Sequence, residues 1–196
     1  MTYRFLLTAL VITVRMPAAD TTAPALPSVP PVSESVTMPG LGVGEKAVDF
    51  ILPNTEGKYV ALQGLLKSSK VALVFVRSAD WCPFCRKQLQ DLQTGLPEIA
   101  ATGAQLVAIS YDAPATNAAA AAKLGLSFPL LSDPGSKIID AYGIRNLEAK
   151  GRGVGIPHPV VFILDQQGMI RVKLMRDGYK VRPESAEIIA GANSFK

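Results

Sequence analysis

The most chemically committed stretch of the chain is Ser78-Ala-Asp-Trp-Cys-Pro-Phe-Cys-Arg-Lys-Gln-Leu89, which holds both cysteines. Cys82 and Cys85 stand at the spacing of a dithiol that cycles between two thiols and one disulfide. If the first sulfur sits at a helix N-terminus, unpaired backbone N–H groups and the helix macrodipole favour its thiolate. A free thiol of pKa about 8.5 is only a few per cent ionised at neutral pH, and such surroundings lower that value. Pro83 has the fixed φ that a first helical turn accepts. Arg86 and Lys87 add positive charge one turn on. Cys82 is therefore the expected nucleophile and Cys85 its resolving partner. Trp81 and Phe84 are expected to shape an apolar rim for the partner molecule, although both would serve equally well as core aromatics. Asp80 is read as a solvated loop carboxylate before a proton carrier.

Three blander uses compete: an inert disulfide, half of a zinc site, or two buried small apolar residues. Zinc asks for about four ligands, and the chain has one histidine and no third cysteine. A bridge closing so short a loop restrains the unfolded chain little. A working dithiol stays ahead, with no metal or other cofactor called for.

The elements that must hold the dithiol are legible on both sides of it. Residues 71–76, Val-Ala-Leu-Val-Phe-Val, read as a buried strand. Leu89, Leu92 and Leu96 then recur at helical spacing, predicting a helix to about residue 100 with Gly103 beyond its end. Upstream, residues 47–52 and 58–62 read as a hairpin around the turn 54–57. Downstream, residues 105–110 form a strand parallel to 71–76 by the βαβ rule. Residues 117–124 form an alanine-rich helix ended by Gly125. Residues 128–135 are a short extended piece, 136–142 a helix stopped by Gly143, and 148–155 a mobile, glycine-rich loop. Residues 159–165 and 169–175 form a second hairpin, and Pro183 with Glu184 starts a last helix to about residue 190. The order gives an α/β fold, a central mixed sheet with helices on both faces and an N-terminal β-hairpin.

At 196 residues, 48% hydrophobic and 18% charged, the chain suits one globular domain with extensions. Its net charge of +4 is scattered, which does not indicate a nucleic-acid partner. Residues 1–19 begin with Arg4 and about ten apolar residues, the pattern of a secretory signal peptide and too short to span a bilayer. Arg15 interrupts the path to a cleavage site. Residues 20–41 are a proline-rich linker, and 42–196 the folded domain. The alternatives are an uncleaved membrane anchor and a fortuitous apolar start; export, with or without such a tether, would place the dithiol outside the cytoplasm, in more oxidising surroundings.

Over roughly residues 42–190 the sequence resembles the thioredoxin-fold redoxins, in the branch of alkyl hydroperoxide reductase and thiol-specific antioxidant (peroxiredoxin-like) proteins. The resemblance rests on Gly44-Glu-Lys-Ala-Val-Asp-Phe50, Trp81-Cys-Pro-Phe-Cys85, Leu106-Val-Ala-Ile-Ser110, and Leu124-Gly-Leu-Ser-Phe-Pro-Leu-Leu-Ser-Asp-Pro134 with Ala141-Tyr-Gly143. Pro159-Val-Val-Phe-Ile-Leu-Asp165 with Gly168 completes it. It implies a cis-proline beside the dithiol, which falls on Pro159, with the backbone of His158 open to pair with a bound substrate. His158 itself is either a loop histidine or a group that tunes Cys82.

One departure from the family decides between mechanisms. Peroxidatic sites there carry a threonine or serine three residues before the cysteine and an arginine from the later strand. Here Ala79 and Pro159 stand in those places, with Arg77 and Arg145 as candidate substitutes. The expected function is a thiol-disulfide oxidoreductase working through Cys82 and Cys85, with an external, thioredoxin-like thiol donor. The alternative is a thiol-dependent hydroperoxide reductase in which Cys82 is peroxidatic and Cys85 resolving. A non-catalytic redox sensor or copper chaperone stands third, because copper-delivering members of the wider fold use a longer cysteine spacing.

Overall fold

The computed structural model describes residues 38–195. The apolar start and most of the proline-rich stretch lie outside the described residues. Residues 38–41, read as linker, already pack on the domain. The Leu41 N–H donates to the Tyr142 carbonyl at 3.1 Å, and Lys173 Nζ donates to the carbonyls of Pro39 and Gly40 at 2.9 and 3.1 Å.

The central strand is β3 (Lys70–Phe75), whose apolar residues alternate between two faces of a five-stranded sheet. Val71, Leu73 and Phe75 enter one core, and Ala72, Val74 and Val76 the other. β4 (Ala104–Ser110) runs parallel to β3, and β5 (Leu130–Ser132) parallel to β4. On the other side β6 (Val160–Leu164) is antiparallel to β3, and β7 (Ile170–Met175) antiparallel to β6. The sheet order is β5-β4-β3-β6-β7. The upstream hairpin forms its own two-stranded sheet from β1 (Ile51–Pro53) and β2 (Tyr59–Ala61). It is shorter than expected, because Leu62 turns inward to open a one-turn helix, α1 (Leu62–Leu66).

The helix expected to run unbroken to residue 100 is two: α2 (Pro83–Thr94) and α3 (Leu96–Ala101). Pro97 has no N–H to offer the carbonyl four residues back, and its ring crowds that turn. Gly95 fills the break. A Cβ there would meet Ser185 Cβ at 2.5 Å, so the start of α6 (Ser185–Asn193) packs directly on it. α4 (Pro114–Leu124) ends in Gly125 at φ +63°, the left-handed cap expected there. α5 (Lys137–Ala141) lies with α1 on the Phe75 side, while α2, α3, α4 and α6 cover the Val74 side. Leu89 and Leu92 are fully buried there. Each contributes about 1.5–3 kcal/mol relative to exposure, which seats α2 and its first turn against the sheet.

The glycine-rich loop expected to be mobile carries local structure. Gly151–Gly153 forms a 3-10 turn, and the Tyr111 hydroxyl donates to the Arg152 carbonyl.

Candidate active site

Between β3 and α2 the chain makes a tight turn around Ser78. Its hydroxyl oxygen accepts the N–H groups of Asp80 and Trp81 at 3.1 and 3.2 Å. The same hydroxyl donates to Asp112 Oδ1 at 3.1 Å, and the Ala79 N–H donates to Oδ2 at 2.9 Å. Asp112 follows β4 and is 8% exposed. Burial pushes its carboxyl up, against the hydrogen bonds from Ala79, Ser78 and Ser110, which favour the charge. A buried carboxylate thus sets the position of the turn that delivers Cys82.

Cys82 is the N-cap residue of α2, with extended backbone and with Pro83 at the first helical position. Its sulfur accepts the Cys85 N–H at 3.3 Å and lies 2.7 Å from Cys85 Sγ. Both thiols are free, and they are only 1% and 0% exposed. Hydrogen bonding from the Cys85 thiol brings the Cys82 pKa down to about 5 against the opposing effect of burial. The Cys85 backbone N–H and the Arg182 guanidinium add to the lowering. Cys85 moves the opposite way, pushed far up because its proton bonds the Cys82 sulfur and because it is buried beside a thiolate. The opposite displacements favour the anion on Cys82 and the proton on Cys85.

Arg182 is the site residue that the sequence reading missed. It comes from residues 176–184, which join β7 to α6. Its Nη2 lies 3.6 Å from Cys85 Sγ and 3.9 Å from Cys82 Sγ. The side chain is 8% exposed, and its Nε and Nη1 have no hydrogen-bond partner among the described residues. The two sulfurs are thus its only polar partners among the described residues. Contacts to α2 clip the segment in place. Gln88 Nε2 donates to the Pro183 carbonyl at 3.0 Å, the Ser185 N–H donates to Asp91 Oδ2 at 2.7 Å, and Tyr179 packs edge-on against Phe84 at 5.7 Å. The sequence signal nearby, Pro183 with Glu184, marks a helix start. Glu184 proves to be the N-cap, in a reciprocal capping box with Glu187.

The other expected residues divide. Trp81 is half-buried and fixed by its indole N–H, which donates to the Tyr111 hydroxyl at 3.0 Å. Pro83 is exposed and Phe84 half-buried at the mouth of the site. Arg86 points back to the Asp80 carbonyl at 2.8 Å, and neither Arg86 nor Lys87 lowers the Cys82 pKa; Arg182 takes that part. Asp80 is exposed and bonds neither sulfur. Arg145 is paired with Asp140 instead of the thiols. Arg77 stacks on Tyr179 and Trp81.

The expectation of a cis-proline is corrected. Val160 pairs with Phe75, so Pro159 and His158 do lie beside the end of β3 that feeds the site. No peptide bond among the described residues is cis. The reason is local pairing: the His158 N–H donates to the Ile144 carbonyl at 2.7 Å, and Pro157 bridges Arg145. That pairing occupies the His158 N–H, one of the two backbone groups expected to be open to a substrate. The His158 side chain bonds neither sulfur, and burial lowers its pKa. It is not among the groups that shift the Cys82 pKa.

A central mixed sheet with a low-pKa thiolate capping α2 and a protonated thiol one turn on defines a thioredoxin-fold dithiol oxidoreductase. The AhpC/TSA family profile matches residues 43–173, and the chain belongs to that family. It is 34% identical to alkyl hydroperoxide reductase E of Mycobacterium tuberculosis over 146 residues, 74% of this chain and 92% of the relative. It is also 30% identical to the thiol-disulfide oxidoreductase ResA of Halalkalibacterium halodurans over 128 residues, 65% of each. The crystal structure of peroxidoxin BcpB from Mycobacterium tuberculosis shares the fold with a TM-score of 0.70 at 23% identity, covering 81% of this chain and 99% of that one. The protein is a thiol-dependent redox enzyme.

Proposed function

We propose that the protein reduces disulfides by exchange through Cys82 and Cys85. The Cys82 thiolate attacks one sulfur of the substrate; the substrate S–S bond breaks, and the leaving thiolate takes the electron pair. Cys85 then gives up its proton and attacks Cys82 Sγ, releasing the second substrate thiol and leaving a Cys82–Cys85 disulfide. A thioredoxin-like thiol donor returns the two electrons. The observation that carries this reading is the pair itself, two sulfurs 2.7 Å apart with opposite pKa displacements. Ala79 supports it, since it offers a substrate no hydroxyl and gives its N–H to Asp112.

Hydroperoxide reduction is the second reading, and Arg182 favours it. Its Nη2 lies 3.9 Å from the reactive sulfur, and its Nε–H and Nη1–H have no partner among the described residues, so the guanidinium has donors free to stabilise a departing oxygen. Thiolate attack would give a Cys82 sulfenic acid and an alcohol, and Cys85 would close the disulfide with loss of water. Rates of disulfide and of hydroperoxide reduction by wild type, Cys82→Ser and Cys85→Ser separate the two. Faster turnover of disulfides, background activity in Cys82→Ser and a trapped mixed disulfide in Cys85→Ser are expected. Full activity in Cys82→Ser on both substrates would overturn the nucleophile. The signal-like pattern of residues 1–19 supports export, which N-terminal sequencing of the mature protein from cell fractions tests.

A further inference from the structure

Trp81, the residue before Cys82, forms part of the wall of a cleft of about 420 Å³. Three cations, Arg77, Lys150 and Arg152, line it against a single carboxylate, Glu148. None of the three is among the ion pairs of the described residues. The arginines are held by aromatic faces instead. The Arg77 guanidinium stands 4.4 Å from the Tyr179 ring and 5.3 Å from Trp81, and Arg152 lies 4.8 Å over Trp81. Stacking occupies the flat face of a guanidinium and leaves in-plane N–H donors at its edge, which match a carboxylate two at a time. The buried Arg77 Nε has no acceptor among the described residues.

We infer that this cleft binds a carboxylate of a low-molecular-weight disulfide and so presents its sulfur to Cys82. The inference rests on the disulfide-exchange reading. It makes Arg77 and Arg152 determinants of specificity for anionic disulfides, with Trp81 as the platform that fixes both. The chemistry stays that of exchange: one substrate disulfide is reduced to two thiols while the Cys82–Cys85 dithiol is oxidised.

The test uses three matched aliphatic disulfides: 3,3′-dithiodipropionate (anionic), bis(2-hydroxyethyl) disulfide (neutral) and cystamine (cationic). Each reacts in a single turnover with the reduced full-length protein, and each rate is divided by the rate with dithiothreitol to remove intrinsic reactivity. The normalised rate should favour the anionic over the neutral disulfide by about fivefold at low salt, with the cationic one slowest, and the spread should shrink as salt rises. Arg152→Gln and Arg77→Gln should each bring the anionic-to-neutral ratio toward one, and Arg77→Lys should keep part of it. Equal or faster normalised reduction of the neutral disulfide overturns the inference while leaving exchange standing. Failure to reduce any of the three overturns the exchange reading itself.

Discussion

Two parts of the chain meet at the same pair of sulfurs and are held there by different means. The turn from Ser78 to Cys85 is fixed by its own hydroxyl, its own helix start and one buried carboxylate. The segment 176–184 brings Arg182 to the thiols, held by contacts of Pro183 and of Ser185 at the start of α6 with α2 residues 95 and 94 positions earlier in the chain. The first is local chemistry that a sequence displays; the second exists only once α2, α3 and α6 have packed. The difference assigns roles. The turn makes the nucleophile, and the later segment supplies a charge that holds it.

The sharpest way to break that contrast is to remove Asp112. Asp112→Ala leaves the Ala79 N–H and the Ser78 hydroxyl without their buried acceptor, which should cost about 2–4 kcal/mol of stability in urea unfolding. Asp112→Asn should cost less and change the pH dependence. The Asp112 pKa is raised in the folded state, so its contribution is complete below the unfolded value near pH 4 and is lost as pH rises through the folded value. Stability of the wild type should therefore fall more steeply than that of Asp112→Asn as pH rises from 4.

A smaller loss is expected where the two parts touch. Gly95→Ala forces a Cβ into Ser185 and should lower stability by about 1–3 kcal/mol, read from the same unfolding curves.

At the sulfurs, two substitutions rank the contributions. Cys85→Ala removes the largest cause of the low Cys82 pKa and should raise that value more than Arg182→Met does. Arg182→Met should lower the Cys82 ionisation constant roughly tenfold, measured by thiolate absorbance against pH. If Arg182→Met leaves it unchanged, the guanidinium is packing and not electrostatics. His158→Gln should leave the Cys82 titration where it is.

Much of the frame was legible because it depends on residues next to one another. β3, the dithiol at its helix start, the parallel β4 and the cap at Gly125 all follow from patterns a few residues long. The break at Gly95 was also written locally, in Pro97, but the leucine spacing of α2 runs through it and masks it. Arg182 carried no such mark: its partners are sulfurs 97 and 100 positions away. The trans backbone at Pro159 likewise depends on Ile144 and Arg145, from a separate part of the chain.

The central claim is that Cys82 is a thiolate held by a protonated Cys85 and by Arg182. The pH dependence of iodoacetamide alkylation of the reduced protein, with the modified cysteine located by mass spectrometry, tests it most directly. Modification should fall on Cys82 with a midpoint at about 5, and Cys85 should remain unmodified through neutral pH. A midpoint near the ordinary thiol value of about 8.5, or alkylation of Cys85 first, would contradict it.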